Sequence, residues 1–113
     1  MMRDDELLFI SYQSFVINHF IVIQMPAYSI QVIGKVQGVF FRVSTQEKAR
    51  ALSIWGWVRN EPDSSVRIRA EGNTKALEKF VAWCHRGPAH AQVRQVIVDE
   101  ITEEGFSDFL IHR

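Results

Sequence analysis

An α+β sandwich, with two helices on one face of a four-stranded antiparallel sheet, is the fold class this sequence predicts. Three observations carry the prediction. Apolar and polar residues alternate with period two from Tyr28 and again from Val66. Two stretches, 43 to 53 and 75 to 86, hold helix-forming residues with apolar positions at helical spacing. These segments arrive in the order β-α-β-β-α-β, the split βαβ or ferredoxin-like plan. With 113 residues, 47% hydrophobic and 23% charged, the chain is long enough for one domain with a real core.

Each element has its own signal. Tyr28, Ile30 and Val32 share one side of the first strand, which is expected to end at Gly34 or shortly after. Residues 43 to 53 form the first helix. Ser44 followed by Glu47 resembles a capping box and would start that helix near Ser44. Residues 54 to 58, Ile-Trp-Gly-Trp-Val, read as the second strand and residues 60 to 65 as a turn. Residues 66 to 71 form the third strand, paired to the second as a hairpin, with Val66, Ile68 and Ala70 inward and Arg67 and Arg69 outward. Gly72-Asn73-Thr74 gives a break and a cap. Leu77, Phe80, Val81 and Cys84 then form the apolar stripe of the second helix, stopped by Gly87-Pro88. Val93, Val96 and Val98 mark a fourth strand. Phe106, Phe109 and Ile111 allow a short fifth.

Residues 7 to 23 form a dense apolar run, just short of a membrane span and interrupted by Gln13, Asn18 and His19. An anchor or uncleaved signal, an extra element packed on the domain, and an extension the domain does not need all compete. The favoured reading divides the chain into a dispensable extension, 1–24, and a domain, 25–113, with Met25 as its functional start.

Thirteen basic and thirteen acidic residues balance, which disfavours a general nucleic-acid surface. The single cysteine, Cys84, excludes an internal disulfide and suits a reducing, cytoplasmic setting as a small core residue. His19, His85, His90 and His112 are scattered, and no metal-ligand spacing is present.

The stretch GKVQGVFFR, residues 34 to 42, connects the first strand to the first helix. Glycines there let the backbone turn and expose successive N–H groups at a helix N-terminus, an arrangement that receives anions. An arginine adds a planar fork matched to phosphate oxygens. The physical reading is a phosphate site built from the amides of Gln37, Gly38, Val39, Phe40, Phe41 and Arg42, plus the Arg42 side chain. A competing reading makes Gly34 and Gly38 plain turn residues and Arg42 a solvated cation. Asn60 closes the second strand, and in the split plan the first and third elements are neighbours, which places it beside the loop. Its amide can hold a water. Taken alone, it is as readily a turn residue before Glu61-Pro62.

From about Ala27 to the C-terminus the chain resembles the acylphosphatase family. The family's G-x-V-Q-G-V-x-F-R signature is matched by Gly34, Val36, Gln37, Gly38, Val39, Phe41 and Arg42, and its G-x-V-x-N signature by Gly56, Val58 and Asn60. Glu71-Gly72, Gly87-Pro88 and Phe109-x-Ile111 are weaker matches. Two departures stand out: Phe40 where the family commonly has glycine, and Asp63-Ser64 where it usually has Asp-Gly.

The resemblance implies an enzyme that hydrolyses the carboxyl–phosphate bond of acyl phosphates with no metal or other cofactor. It gives catalytic roles to Arg42, which binds the phosphoryl group with the loop amides, and to Asn60, which orients the attacking water. It also moves the first helix's start to near Phe41. The expected partner is a small acyl phosphate, for a cytoplasmic monomer with no nucleic-acid or membrane partner. The alternative is a non-catalytic ferredoxin-like module binding RNA or an acidic peptide, motivated by Arg67 and Arg69 with Trp55 and Trp57 nearby.

Overall fold

A computed structural model of the chain describes residues 13–17 and 20–113, with side-chain surroundings from Met25 onward. The elements are β1 (Gln13–Ile17), β2 (Phe20–Gln24), β3 (Ala27–Lys35), α1 (Phe41–Ala51), β4 (Trp55–Asn60), β5 (Val66–Glu71), α2 (Thr74–Arg86), β6 (Gln92–Ile101) and β7 (Phe109–Ile111). Strands β1 and β2 pair with each other in a two-stranded antiparallel sheet. The expected extension falls here, and its residues 1–12, 18 and 19 lie outside the described residues.

The main sheet has the order β6-β3-β5-β4-β7. Its first four strands are antiparallel neighbours, the split βαβ arrangement expected. The short C-terminal strand extends the sheet to five, running parallel to β4 with Gly56 opposite Phe109 and Val58 opposite Ile111. Glu71 fixes the chain that leads into β7. Its carboxylate is buried at 3% exposure and accepts hydrogen bonds from the backbone N–H groups of Glu104, Gly105 and Phe106. Three donors on one carboxylate offset its loss of water.

Both helices cover one face of the sheet, α1 over β4 and β7, α2 along β6. Ile30, Val32, Val58, Val66, Ile68 and Ala70 point into the core and are fully buried. Leu77, Phe80 and Cys84 of α2 and Phe41 and Ala49 of α1 meet them. Each large side chain buried this way contributes about 1.5–3 kcal/mol. Burial pushes the Cys84 thiol up to about 12, so it behaves as the small core residue expected. Asn73 caps α2 by accepting from the Ala76 N–H at 2.8 Å, as its sequence position predicts.

Strand β6 runs longer than the valine pattern indicates, because β3 supplies partners along its whole length, from Ala27 opposite Ile101 to Lys35 opposite Gln92. Strand β3 ends at Lys35, one residue past Gly34, as expected. Ile33 faces Gln95 and Gly34 faces Val93, which leaves Arg94 as the extra residue of a β-bulge. Gly34 is the residue that permits it, since a Cβ there would lie 2.1 Å from Gln92 O. Gly56 is a second close approach inside the sheet. Its φ is +142°, and a Cβ would fall 1.8 Å from the Arg69 carbonyl oxygen of β5.

Gly56→Ala is therefore expected to part β4 from β5 and destabilise the fold by on the order of 3 kcal/mol or more. Urea unfolding monitored by tryptophan fluorescence measures it. A midpoint within error of the parent's would show that the two strands do not approach as described.

Candidate active site

The loop between β3 and α1 is pinned at three positions. Val36, Val39 and Phe41 are buried at 1%, 8% and 1% exposure, so they bind the loop to the core as anchors. The Phe41 ring packs against Trp83 of α2 with centroids 5.6 Å apart. It also abuts Gly87, where a Cβ would lie 2.7 Å from Phe41 Cε2. Between these anchors the backbone turns left-handed twice, at Gly38 (φ 73°) and at Phe40 (φ 61°, ψ 24°). Left-handed residues next to a helix start turn successive N–H groups outward.

Helix α1 begins at Phe41. The local Ser44–Glu47 signal does not set its start, because Ser44 N already donates to Phe40 O at 3.0 Å in the first helical hydrogen bond. Phe40 stands at the N-cap without a side-chain bond of its own. Among the described residues, the N–H groups from Gln37 to Val43 find neither a backbone nor a side-chain acceptor. The first turn carries no acidic side chain, so the positive end of the helix dipole is not neutralised locally. Arg42, half-buried, lies in this turn, and among the described residues no carboxylate is within ion-pair distance of it.

Asn60 reaches the same place by a route other than the expected one. Strand β4 is not adjacent to β3, since β5 lies between them. The loop does the crossing. Gln37 Nε2 donates to Glu61 O and to Ser65 O, both at 2.9 Å, and so ties the loop to the β4–β5 turn beside Asn60. Asn60 Oδ1 is buried and accepts no hydrogen bond from the described residues. A cleft of about 250 Å³ results. Val36 and Phe41 form its buried floor, Gly38, Arg42 and Asn60 line it, and Phe40 and Val43 stand exposed at its rim.

Sequence reasoning placed Gln37 in the loop only through its amide and missed its side chain. The signal was there: Gln37 is the one side chain among residues 36 to 41 able to hydrogen-bond. The β4–β5 turn is braced by Asp63, which accepts from Ser65 N at 3.0 Å and from the Ser65 hydroxyl. These bonds hold the Asp63 carboxyl below the usual carboxylate range. Ser64 in that turn has φ 76°, the conformation for which Asp-Gly is the easier choice. Among the described residues no three His, Cys, Asp or Glu side chains gather into a metal site, and no helix is long and apolar enough to cross a membrane.

Fold and loop together define an α+β ferredoxin-like sandwich with a left-handed turn leading into a helix N-terminus. The family model that matches residues 28–111 is Acylphosphatase. An acylphosphatase of Marinobacter nauticus is 51% identical over 80 residues, 69% of this chain and 86% of the relative. One of Rubrobacter xylanophilus is 50% identical over 76 residues, 67% of this chain and 69% of the relative. The crystal structure of acylphosphatase from Bacillus subtilis matches with a TM-score of 0.77 at 39% identity, covering 79% of this chain and 100% of that one. The chain belongs to the acylphosphatase family, whose members are enzymes.

Gln37→Ala removes both bonds that hold the loop to the β4–β5 turn. It is expected to lower stability by about 1–3 kcal/mol and to speed hydrogen exchange of the loop amides. Unchanged exchange from residues 36 to 43 would show that the bridge is not what fixes the loop.

Proposed function

We propose that the cleft between the 36–40 loop and Asn60 hydrolyses the carboxyl–phosphate bond of acyl phosphates, giving a carboxylate and inorganic phosphate. The observation that carries this reading is the run of loop N–H groups that, like Asn60 Oδ1, find no partner among the described residues, in the same cleft as Arg42. The amides of Gln37 to Arg42, the helix dipole and the Arg42 guanidinium hold the phosphoryl oxygens and stabilise the charge they carry in the transition state. Asn60 Oδ1 accepts a hydrogen bond from a water and orients it toward phosphorus.

The balance of the reaction explains why so few groups suffice. Water adds to phosphorus, the bond to the acyl oxygen breaks, and the electron pair leaves on the carboxylate. The proton from water ends on the phosphate. A carboxylic acid with a pKa of about 4 leaves without being protonated. Phosphoryl transfer of this kind rests on positioning and charge stabilisation. The reading requires neither a nucleophilic side chain nor a bound metal.

The remaining expectations belong to the same proposal: a cytoplasmic monomer whose domain works from Met25 onward. The outer sheet face supports the enzyme over the binding-module alternative. Arg69 pairs with Glu104 at 2.7 Å and Arg67 approaches Glu61 at 4.0 Å, so acidic neighbours offset those cations.

Arg42→Ala and Asn60→Ala are each expected to lower kcat/KM for acetyl phosphate by on the order of 100-fold or more. Chelator is expected to leave the parent unchanged, and a chain starting at Met25 to stay active. Full activity in either variant would remove that residue from the proposed mechanism, and loss of activity with chelator would contradict the metal-free reading.

A further inference from the structure

Phe40 is held in a backbone conformation that a bulky L-residue adopts at a cost, with φ 61° and ψ 24°. Packing does not account for it, since the side chain is 78% exposed. Its position is specific. Phe40 lines the cleft that holds Arg42 and Asn60, and Val43, three residues on along α1 and 47% exposed, lines the same cleft. The other lining residues have stated uses: Val36 and Phe41 are buried anchors, Gly38 has no side chain, and Arg42 and Asn60 serve the phosphoryl group and the water. Whatever projects from the bound phosphate therefore passes beside Phe40 and Val43.

Resting on the function proposed above, the geometry points to Phe40 and Val43 as an apolar shelf that receives the acyl part of the substrate. Acyl phosphates with an aromatic or branched apolar acyl group are the preferred class. Small polar ones such as carbamoyl phosphate leave the shelf wet. An aromatic ring against Phe40 gains contact area and an offset or edge-on ring geometry. This gain is made on the acyl group, away from phosphorus, so it is read first in KM.

The test is kcat/KM of the full chain for benzoyl phosphate and for acetyl phosphate, compared as a ratio. The ratio is expected to favour benzoyl phosphate in the parent. Phe40→Gly, which the left-handed backbone accommodates, is expected to reduce it by about three- to tenfold, chiefly through KM for benzoyl phosphate. Val43→Ser is expected to reduce it in the same direction, and Phe40→Leu to restore most of it. A ratio unchanged in both Phe40→Gly and Val43→Ser would overturn the shelf while leaving the hydrolase intact. So would equal losses on both substrates, which would mark Phe40 as a support of loop geometry. A parent inactive on both substrates would instead sink the function itself, and the shelf with it.

Discussion

Everything about the site depends on a row of backbone N–H groups kept from pairing. A chain left to itself satisfies its amides, so the loop between β3 and α1 must be held open. Two attachments hold it. On the inner side Val36, Val39 and Phe41 are sunk in the core. On the other, both donors of Gln37 are spent on carbonyls of the β4–β5 turn. Between them Gly38 and Phe40 take left-handed conformations, and the amides find no acceptor among the described residues. The same Gln37 bridge brings Asn60 to the cleft although β4 and β3 are not sheet neighbours. One glutamine thus joins the loop side of the cleft to the Asn60 side.

The rest of the fold supports that arrangement. Phe41 is at once the first residue of α1, a buried core residue and the contact for Trp83 and Gly87 of the α2 end. The bonds from Thr45 Oγ1 to Phe41 O at 2.7 Å and from Gln46 Nε2 to Phe109 O at 2.9 Å fix the first turns of α1 against themselves and against β7. Glu71, by collecting three backbone donors, places the segment before β7. The C-terminal strand is therefore part of what aims α1, and not simply an addition to the sheet edge.

The elements were legible where periodicity alone decides them. Ile30 and Val32, the Val66–Ile68–Ala70 alternation and the Leu77–Phe80–Cys84 stripe all face inward, as their spacing predicts. Arg42 and Asn60 were legible through signatures, and both line the cleft. What escaped the sequence was set by contacts between distant segments. The local Ser44 signal pointed to a later helix start, and the start near Phe41 that the family signature implied is the one the structure has. The strand ends just past Gly34, at Lys35, as expected, but the bulge that Gly34 permits against β6 was not legible. The two departures from the family pattern, Phe40 and Ser64, both sit at positive φ, where glycine is the low-cost residue. No periodicity reports a backbone angle, so their significance appears only in the structure.

The central claim, that the amides of residues 37 to 42 receive the phosphoryl group, is tested most directly by nuclear magnetic resonance. Inorganic phosphate is titrated into the 15N-labelled chain while backbone amide and Arg42 Nε–H signals are followed. The account predicts saturable downfield shifts of those amide protons and of the Arg42 Nε–H, all with one dissociation constant. Saturable shifts confined to the outer sheet face around Arg67 and Arg69, with the loop amides unmoved, would contradict it.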